Sequence, residues 1–276
     1  MMFSIRKTVI TGFALLLAGA GAAQAADLYG PRGGLKDQPP AYVPSVATQP
    51  SWYVRMDFAF GKHDTPAMIE NGTIALDSER IDSAWSFGGG FGRHFTPNIR
   101  GDITWERRFE TDASGIVRSQ TTLPGTRSFG LESDVFLANI YYDFNAGGRF
   151  SPYVGVGLGV VNNKTKAGRV TDTCGCTGVI AGEEKWGVAA AFMTGVSIAL
   201  RQRQTAYGSF NQGSFSGLSQ RGLYLDVGYR FLYLGDATTG AITPTATNTT
   251  TTISQDPTIE GIHAHEFRVG LRLDLN

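Results

Sequence analysis

The sequence predicts an all-β fold, an eight-stranded antiparallel up-and-down transmembrane β-barrel, on three observations. Eight segments alternate large apolar residues with small or charged ones at a period of two. Beyond the N-terminal run no stretch reaches about 18 consecutive apolar residues, which excludes a bundle of spanning helices. Long and short connections alternate between the segments, as they do between the two ends of an outer-membrane barrel.

Residues 1–25 read as a signal peptide: Arg6 and Lys7, an apolar stretch from Thr8 to Ala20, then Ala23-Gln24-Ala25. The apolar run is shorter than the roughly 20 residues a spanning helix needs. Residues 26–50 carry Pro31, Pro39, Pro40, Pro44 and Pro50 with Gly30, Gly33 and Gly34, a composition suited to a flexible periplasmic leader rather than a packed core. The barrel itself is expected over 51–276.

From Trp52 to Phe60 one parity holds Trp52, Val54, Met56, Phe58 and Phe60, and the other Tyr53, Arg55, Asp57 and Ala59. The second strand, Ala84 to Phe95, sets Trp85, Phe87, Phe91 and Phe95 against Ser86, Gly88, Gly90, Gly92 and His94. Thr96-Pro97-Asn98 is a short turn into the third, where Ile99, Ile103, Trp105 and Phe109 oppose Arg100, Asp102, Thr104, Glu106 and Arg108. The fourth, about Asp134 to Phe144, sets Phe136, Ala138, Ile140, Tyr142 and Phe144 against Leu137, Asn139, Tyr141 and Asp143. The fifth, Pro152 to Val161, opposes Val154, Val156, Leu158 and Val160 to Tyr153, Gly155, Gly157 and Gly159. In the sixth, about Lys185 to Leu200, Trp186, Val188, Phe192, Val196, Ile198 and Leu200 face away from Gly187, Ala189, Met193, Gly195 and Ser197. The seventh spans Leu223 to Tyr233 and the eighth closes the chain with Phe267, Val269, Leu271, Leu273 and Leu275. Eight is even, as bacterial single-chain barrels require.

A soluble ligand-binding barrel would turn the large apolar face inward. Two features favour lipid outside instead. Trp52, Phe60, Trp105, Phe109, Tyr142, Phe144, Trp186, Phe231 and Tyr233 gather near strand ends, where aromatic girdles meet the membrane interfaces. The opposite face mixes small residues with Arg55, Arg100, Arg108, Arg230, Arg268 and Arg272 against Asp57, Asp102, Glu106, Asp143, Asp226, Glu266 and Asp274. Buried charge persists only when paired, so the near balance predicts a lumen plugged by ion pairs.

Long connections are expected at about Gly61 to Ile81, Glu110 to Leu131, Asn162 to Glu184 and Gly235 to Ile262, on the extracellular side. The connection Arg201 to Gln220 departs from the pattern, being long on the short-turn side. The Thr-rich segment Thr238 to Thr252 reads as low-complexity exposed surface.

Ala26-Asp27-Leu28 after the signal peptide, Leu137-Ala138-Asn139-Ile140-Tyr141-Tyr142-Asp143-Phe144, Pro152-Tyr153-Val154-Gly155-Val156-Gly157 and His265-Glu266-Phe267-Arg268-Val269-Gly270-Leu271-Arg272 together resemble the porin-family surface proteins of alphaproteobacteria. That resemblance covers Ser51 to Asn276 and implies the small barrel shared by the opacity proteins and the OmpA membrane domain. It also implies a place in the outer membrane among lipid and lipopolysaccharide, insertion by the barrel-assembly machinery, and loops able to engage an extracellular ligand. The chain ends in Asp274-Leu275-Asn276 rather than in the terminal aromatic residue usual in such families.

Other chemistry finds little support. Charged residues make up 17% of the chain, with 24 basic and 24 acidic. Loss of Arg6 and Lys7 leaves a net charge near −2, which argues against a nucleic-acid partner. The Gly-x-Gly runs near Gly88 and Gly155 lie inside strands rather than in a phosphate loop. Cys174 and Cys176 read as a loop with an optional local disulfide, and His263 and His265 as polar rim residues rather than a metal pair. No catalytic set, cofactor or metal is expected, and the protein is not expected to be an enzyme. The expected role is structural or surface-interacting with a largely plugged lumen; the alternative is a narrow porin-like diffusion channel for small solutes.

Overall fold

A computed structural model describes residues 52–70, 74–118, 125–172, 177–201, 222–245 and 257–275. The expected signal peptide and leader lie outside the described residues, as do Cys174 and Cys176, all but Arg201 of the Arg201 to Gln220 connection, and residues 246–252 of the Thr-rich segment. Among the described residues none is helical.

Eight long strands form the wall: β1 (Trp52–His63), β2 (Ala84–His94), β3 (Ile99–Val117), β4 (Gly125–Asp143), β5 (Phe150–Thr165), β6 (Glu184–Arg201), β7 (Leu223–Tyr233) and β8 (His263–Asp274). Each pairs antiparallel with the next, and β8 pairs with β1, Tyr53 opposite Asp274 and His63 opposite Ala264. The sheet closes with no free edge, which lets every backbone group in the wall find a partner without water.

The alternation seen in the sequence becomes two faces. Ile103 and Leu158 are 69% and 68% exposed, while Tyr53 and Arg100 are wholly buried. Large apolar side chains point out and polar or small ones point in, the reverse of a soluble barrel.

Two expected loops prove to be largely strand, which corrects their assignment. The segment Glu110 to Leu131 continues β3 to Val117 and β4 back to Gly125, with Thr111 to Val117 paired against Leu131 to Gly125. The pairing register shifts between Arg108 and Thr111, where Phe109 and Glu110 are both exposed. This bulge switches the inward parity from even residues (Glu106, Arg108) to odd ones (Thr111, Ala113, Val117), so the period of two breaks and the sequence pattern imitates a loop. Likewise β5 runs on to Thr165 rather than ending at Val161.

The remaining long connections also fold. Ala67–Glu70, Ile74–Ala75, Ala237–Thr238 and Thr258–Glu260 form a four-stranded sheet that joins the β1–β2 and β7–β8 connections. Asp77–Ile81 extends the wall on β3, and Gly168–Asp172 on β4. Thr177–Ile180 and Ile242–Pro244 continue outward from there. Their inward side chains, among them Met68, Leu76, Phe129, Ile180, Ile242 and Ile259, belong to one buried apolar cluster. The described part of the Thr-rich segment is therefore not simply exposed surface: Thr239 and Ile242 are buried.

Candidate functional site

Closure of the wall brings the thirteen charged residues of the sequence pattern into one lumen, and all of them are buried. Five strands, β1, β3, β4, β7 and β8, supply them, and small inward residues of neighbouring strands make room: Asp57 stands opposite Gly88 and Gly270, Asp102 opposite Gly92, and Asp226 opposite Ser197 and Gly270. Gly195 and Gly228 show the need for space: a Cβ on either would stand 2.7 or 2.6 Å from the Tyr153 hydroxyl.

A continuous chain of contacts descends from the long-loop end. The His63 Nδ1–H donates to the Asp82 carbonyl at 2.8 Å, and an Arg108 Nη2–H donates to His63 Nε2 at 3.0 Å. Arg108 and Arg230 both bind Glu266, and Arg230 Nη2 reaches Glu106 Oε1 at 2.5 Å. Arg268 Nη2 lies 3.3 Å from Asp57 and 3.7 Å from Glu106. Asp57 in turn accepts from Arg55 at 2.7 Å, and Arg55 Nη1 donates to Asp102 and to the Tyr141 hydroxyl, both at 3.0 Å. Asp102 also accepts from Tyr53 and Asn139.

The short-turn end carries a second set. Asp226 accepts from Arg272 at 3.2 Å and from the Ser197 hydroxyl at 2.6 Å. His94 Nε2 lies 3.3 Å from Asp274 and 3.3 Å from Arg272. Arg100 Nε donates to Asp143 at 3.0 Å, and its guanidinium lies over the rings of Tyr141 and Tyr153, 4.2 and 5.1 Å from their centroids. Ring faces stabilise a desolvated cation, here where Nη1 and Nη2 have no hydrogen-bond partner.

Above the lumen the apolar cluster encloses one further buried pair, Glu70 with Arg127, at 3.0 Å from Nε and 3.2 Å from Nη2. Neither residue was singled out from sequence, because both lie in segments read as loops. Tyr53, Asn139, Tyr141 and Tyr153 were legible on the inward parity, but a search for charge passes over them.

On the outer wall, Trp52, Tyr142 and Phe144 stand toward the short-turn end. Phe60, Trp105, Phe109, Trp186, Phe231 and Tyr233 stand toward the long-loop end, along with Trp85, whose ring packs 4.7 Å from that of Phe60. Beyond this upper group the wall turns polar: Arg107 pairs with Glu132 and Asp134, and Lys164 with Asp134 and Glu184. Among the described residues no group of three or more His, Cys, Asp and Glu could hold a metal ion.

A closed eight-strand barrel with an apolar outer wall and a polar interior is the architecture of an outer-membrane β-barrel protein. Residues 12–231 match the family described as outer membrane protein beta-barrel domain, and the chain belongs to that family. Its place is the outer membrane, where its wall meets lipid. An uncharacterised protein of Brucella abortus strain 2308 is 25% identical over 249 residues, covering 79% of this chain and 78% of that protein. Solved structures that resemble it include OprG from Pseudomonas aeruginosa, 11% identical with TM-score 0.45, covering 81% of this chain and 95% of that one. Neisserial surface protein A is 18% identical with TM-score 0.39, covering 81% and 97%.

Proposed function

We propose that the protein serves as a surface barrel with a structural or interaction role, its lumen plugged rather than conducting. The observation that carries this reading is the double obstruction of the lumen: a ladder of ion pairs between opposite walls, and above it an apolar cluster contributed by the long connections. A solvated ion entering the ladder would have to displace several buried charge-assisted contacts at once, each shorter and stronger than a neutral hydrogen bond. The strands of the long connections then present a surface to an extracellular ligand, while lipopolysaccharide surrounds the wall and the barrel-assembly machinery inserts it. Purified protein in a planar bilayer is expected to show no sustained single-channel conductance. Stable open channels in the unmodified protein would instead establish a diffusion pore.

In this reading the long-connection end faces outward from the cell. Cysteines introduced at Thr65 and Ala181, in a background without Cys174 and Cys176, are expected to react with an impermeant thiol reagent on intact cells. Cysteines at Thr96 and Asn145, in the short turns, are expected not to react. Labelling confined to the second pair would invert the orientation.

A further inference from the structure

Above the upper aromatic group the outer wall changes from apolar to charged in one step. Trp105, Phe136, Val160 and Val188 stand opposite one another on β3, β4, β5 and β6. The next outward row reads Arg107, Asp134, Asn162 and Trp186, and the row after it Glu132, Lys164 and Glu184. Each step of two residues rises about 7 Å along the strand, which carries the wall from hydrocarbon into the headgroup layer. Within this group the acids lie against the wall and the cations over them. Glu132 is held by Arg107 Nη2 at 3.1 Å and Lys166 Nζ at 3.0 Å, and Asp134 by Arg107 Nη1 and Lys164 Nζ, both at 3.4 Å. The two carboxylate side chains are 11% and 14% exposed, those of Arg107 and Lys166 40% and 45%, so the surface turned outward is cationic. Ammonium and guanidinium groups carry more N–H donors than these pairs use. Higher on the same face, Arg169 is exposed opposite Ser128 of β4 and has no acid partner among the described residues. From Asp134 to Ser128 the outer face of β4 rises about 20 Å.

We propose that Arg107, Lys164, Lys166 and Arg169 bind the phosphate groups of one lipopolysaccharide molecule, whose acyl chains lie on the row of Trp105, Phe136, Val160 and Val188. The site rests on the outward orientation of the long-connection end. Guanidinium and ammonium groups bind phosphate oxygens through charge-assisted hydrogen bonds. Height selects the lipid. A glycerophospholipid carries its phosphate at one level, which Arg107 and Lys164 alone would serve. A column of cations that continues to Arg169 fits a lipid whose phosphorylated saccharide stands away from the membrane. Two acids work against the bound anion: Glu110, whose carboxylate lies over Gly130, and Glu184 at the β6 edge of the group. The other side of the barrel does not repeat the column, since β8 there presents His263 and His265, both on Asp64 at 3.1 and 3.2 Å. The lipid is therefore held on the β3–β5 side.

The test measures binding of a fluorescent, bis-phosphorylated lipid A to the full-length protein in nonionic detergent, read by polarisation. Unlabelled lipopolysaccharide with a phosphorylated core is expected to compete best, and dephosphorylated lipid A, phosphatidylglycerol and inorganic phosphate to compete poorly. Arg107→Gln, Lys164→Gln and Lys166→Gln are each expected to weaken lipid A binding roughly fivefold, the scale for one basic residue at an anionic lipid surface. Arg169→Gln should leave lipid A binding as it was and weaken competition by lipopolysaccharide. Glu110→Gln removes a carboxylate without breaking an ion pair and should tighten both; a purely structural role for the charged group would give no gain. Lys62→Gln, on β1, should change neither. Unheated electrophoretic migration identifies the folded barrel in each variant. Equal competition by dephosphorylated lipid A, a loss at Lys62 as large as at Lys164, or no gain from Glu110→Gln would each overturn the site. Phosphatidylglycerol competing as well as lipopolysaccharide, or lipopolysaccharide indifferent to Arg169→Gln, would overturn its assignment to lipopolysaccharide. Absent binding in protein whose introduced cysteines label from outside as expected overturns this site alone, whereas inverted labelling overturns the orientation on which it rests.

Discussion

Replacement of Arg230 by methionine is expected to lower the unfolding free energy of the barrel by about 3–5 kcal/mol, the scale for removing one member of a buried ion pair. Arg230 is almost fully buried and joins Glu106 to Glu266 across the middle of the lumen. Without it Glu106 keeps only the 3.7 Å contact with Arg268, and Glu266 depends on Arg108 alone. The unpaired carboxylate, more than the lost attraction, produces the cost. Glu106→Gln combined with Arg230→Met is therefore expected to recover much of the loss, as coupling between contacting residues in a double-mutant cycle. Denaturant unfolding in detergent or lipid vesicles measures both quantities. A single-variant loss below about 1 kcal/mol, with no coupling, would mean that water already screens the lumen, and would favour the channel reading.

Arginine in place of Val156 is expected to cost about 2–4 kcal/mol, the range for a cation on the lipid face near the bilayer midplane. Val156 lies in the middle of β5, half-exposed, with Ile140 of β4 and Phe192 of β6 opposite it in register. Leu225, flanked in register by Ile198 and Leu271, is expected to respond in the same way. Val179→Arg supplies the contrast: that side chain also points outward, but from a short strand of the long connections beyond the wall. There the charge meets water and the change should be nearly neutral. Equal costs at Val156 and Val179 would place the lipid band wrongly.

The number of strands, their order and the face each residue occupies were readable from the chain alone, because a closed sheet between lipid and a packed lumen imposes the period of two on nearly every wall position. Trp52 to Phe60 needs only its own alternation to be placed. The pattern failed at Phe109 and Glu110, where a bulge turns two successive residues outward and hides the continuation of β3 and β4. It failed as well in the long connections, whose strands of two to five residues are too short to show a period and in part pair with segments far away in the chain, Met68 with Ile259 and Gly178 with Pro244.

Partner choice is a matter of three dimensions. The sequence aligned six arginines with seven acids on one face, but Arg108 with Glu266, Arg230 with Glu106 and Arg55 with Asp102 are separated by 158, 124 and 47 residues. Strand tilt and register decide which side chains meet across the lumen. The same holds at the rim, where β8 displays His263 and His265 together, but their carboxylate, Asp64, lies 201 residues from His265 and reaches it only because the last strand closes against the first. Local alternation follows from the chemistry of each residue and its neighbours; the meeting of distant charges follows from closure of the sheet, which no local stretch of sequence encodes.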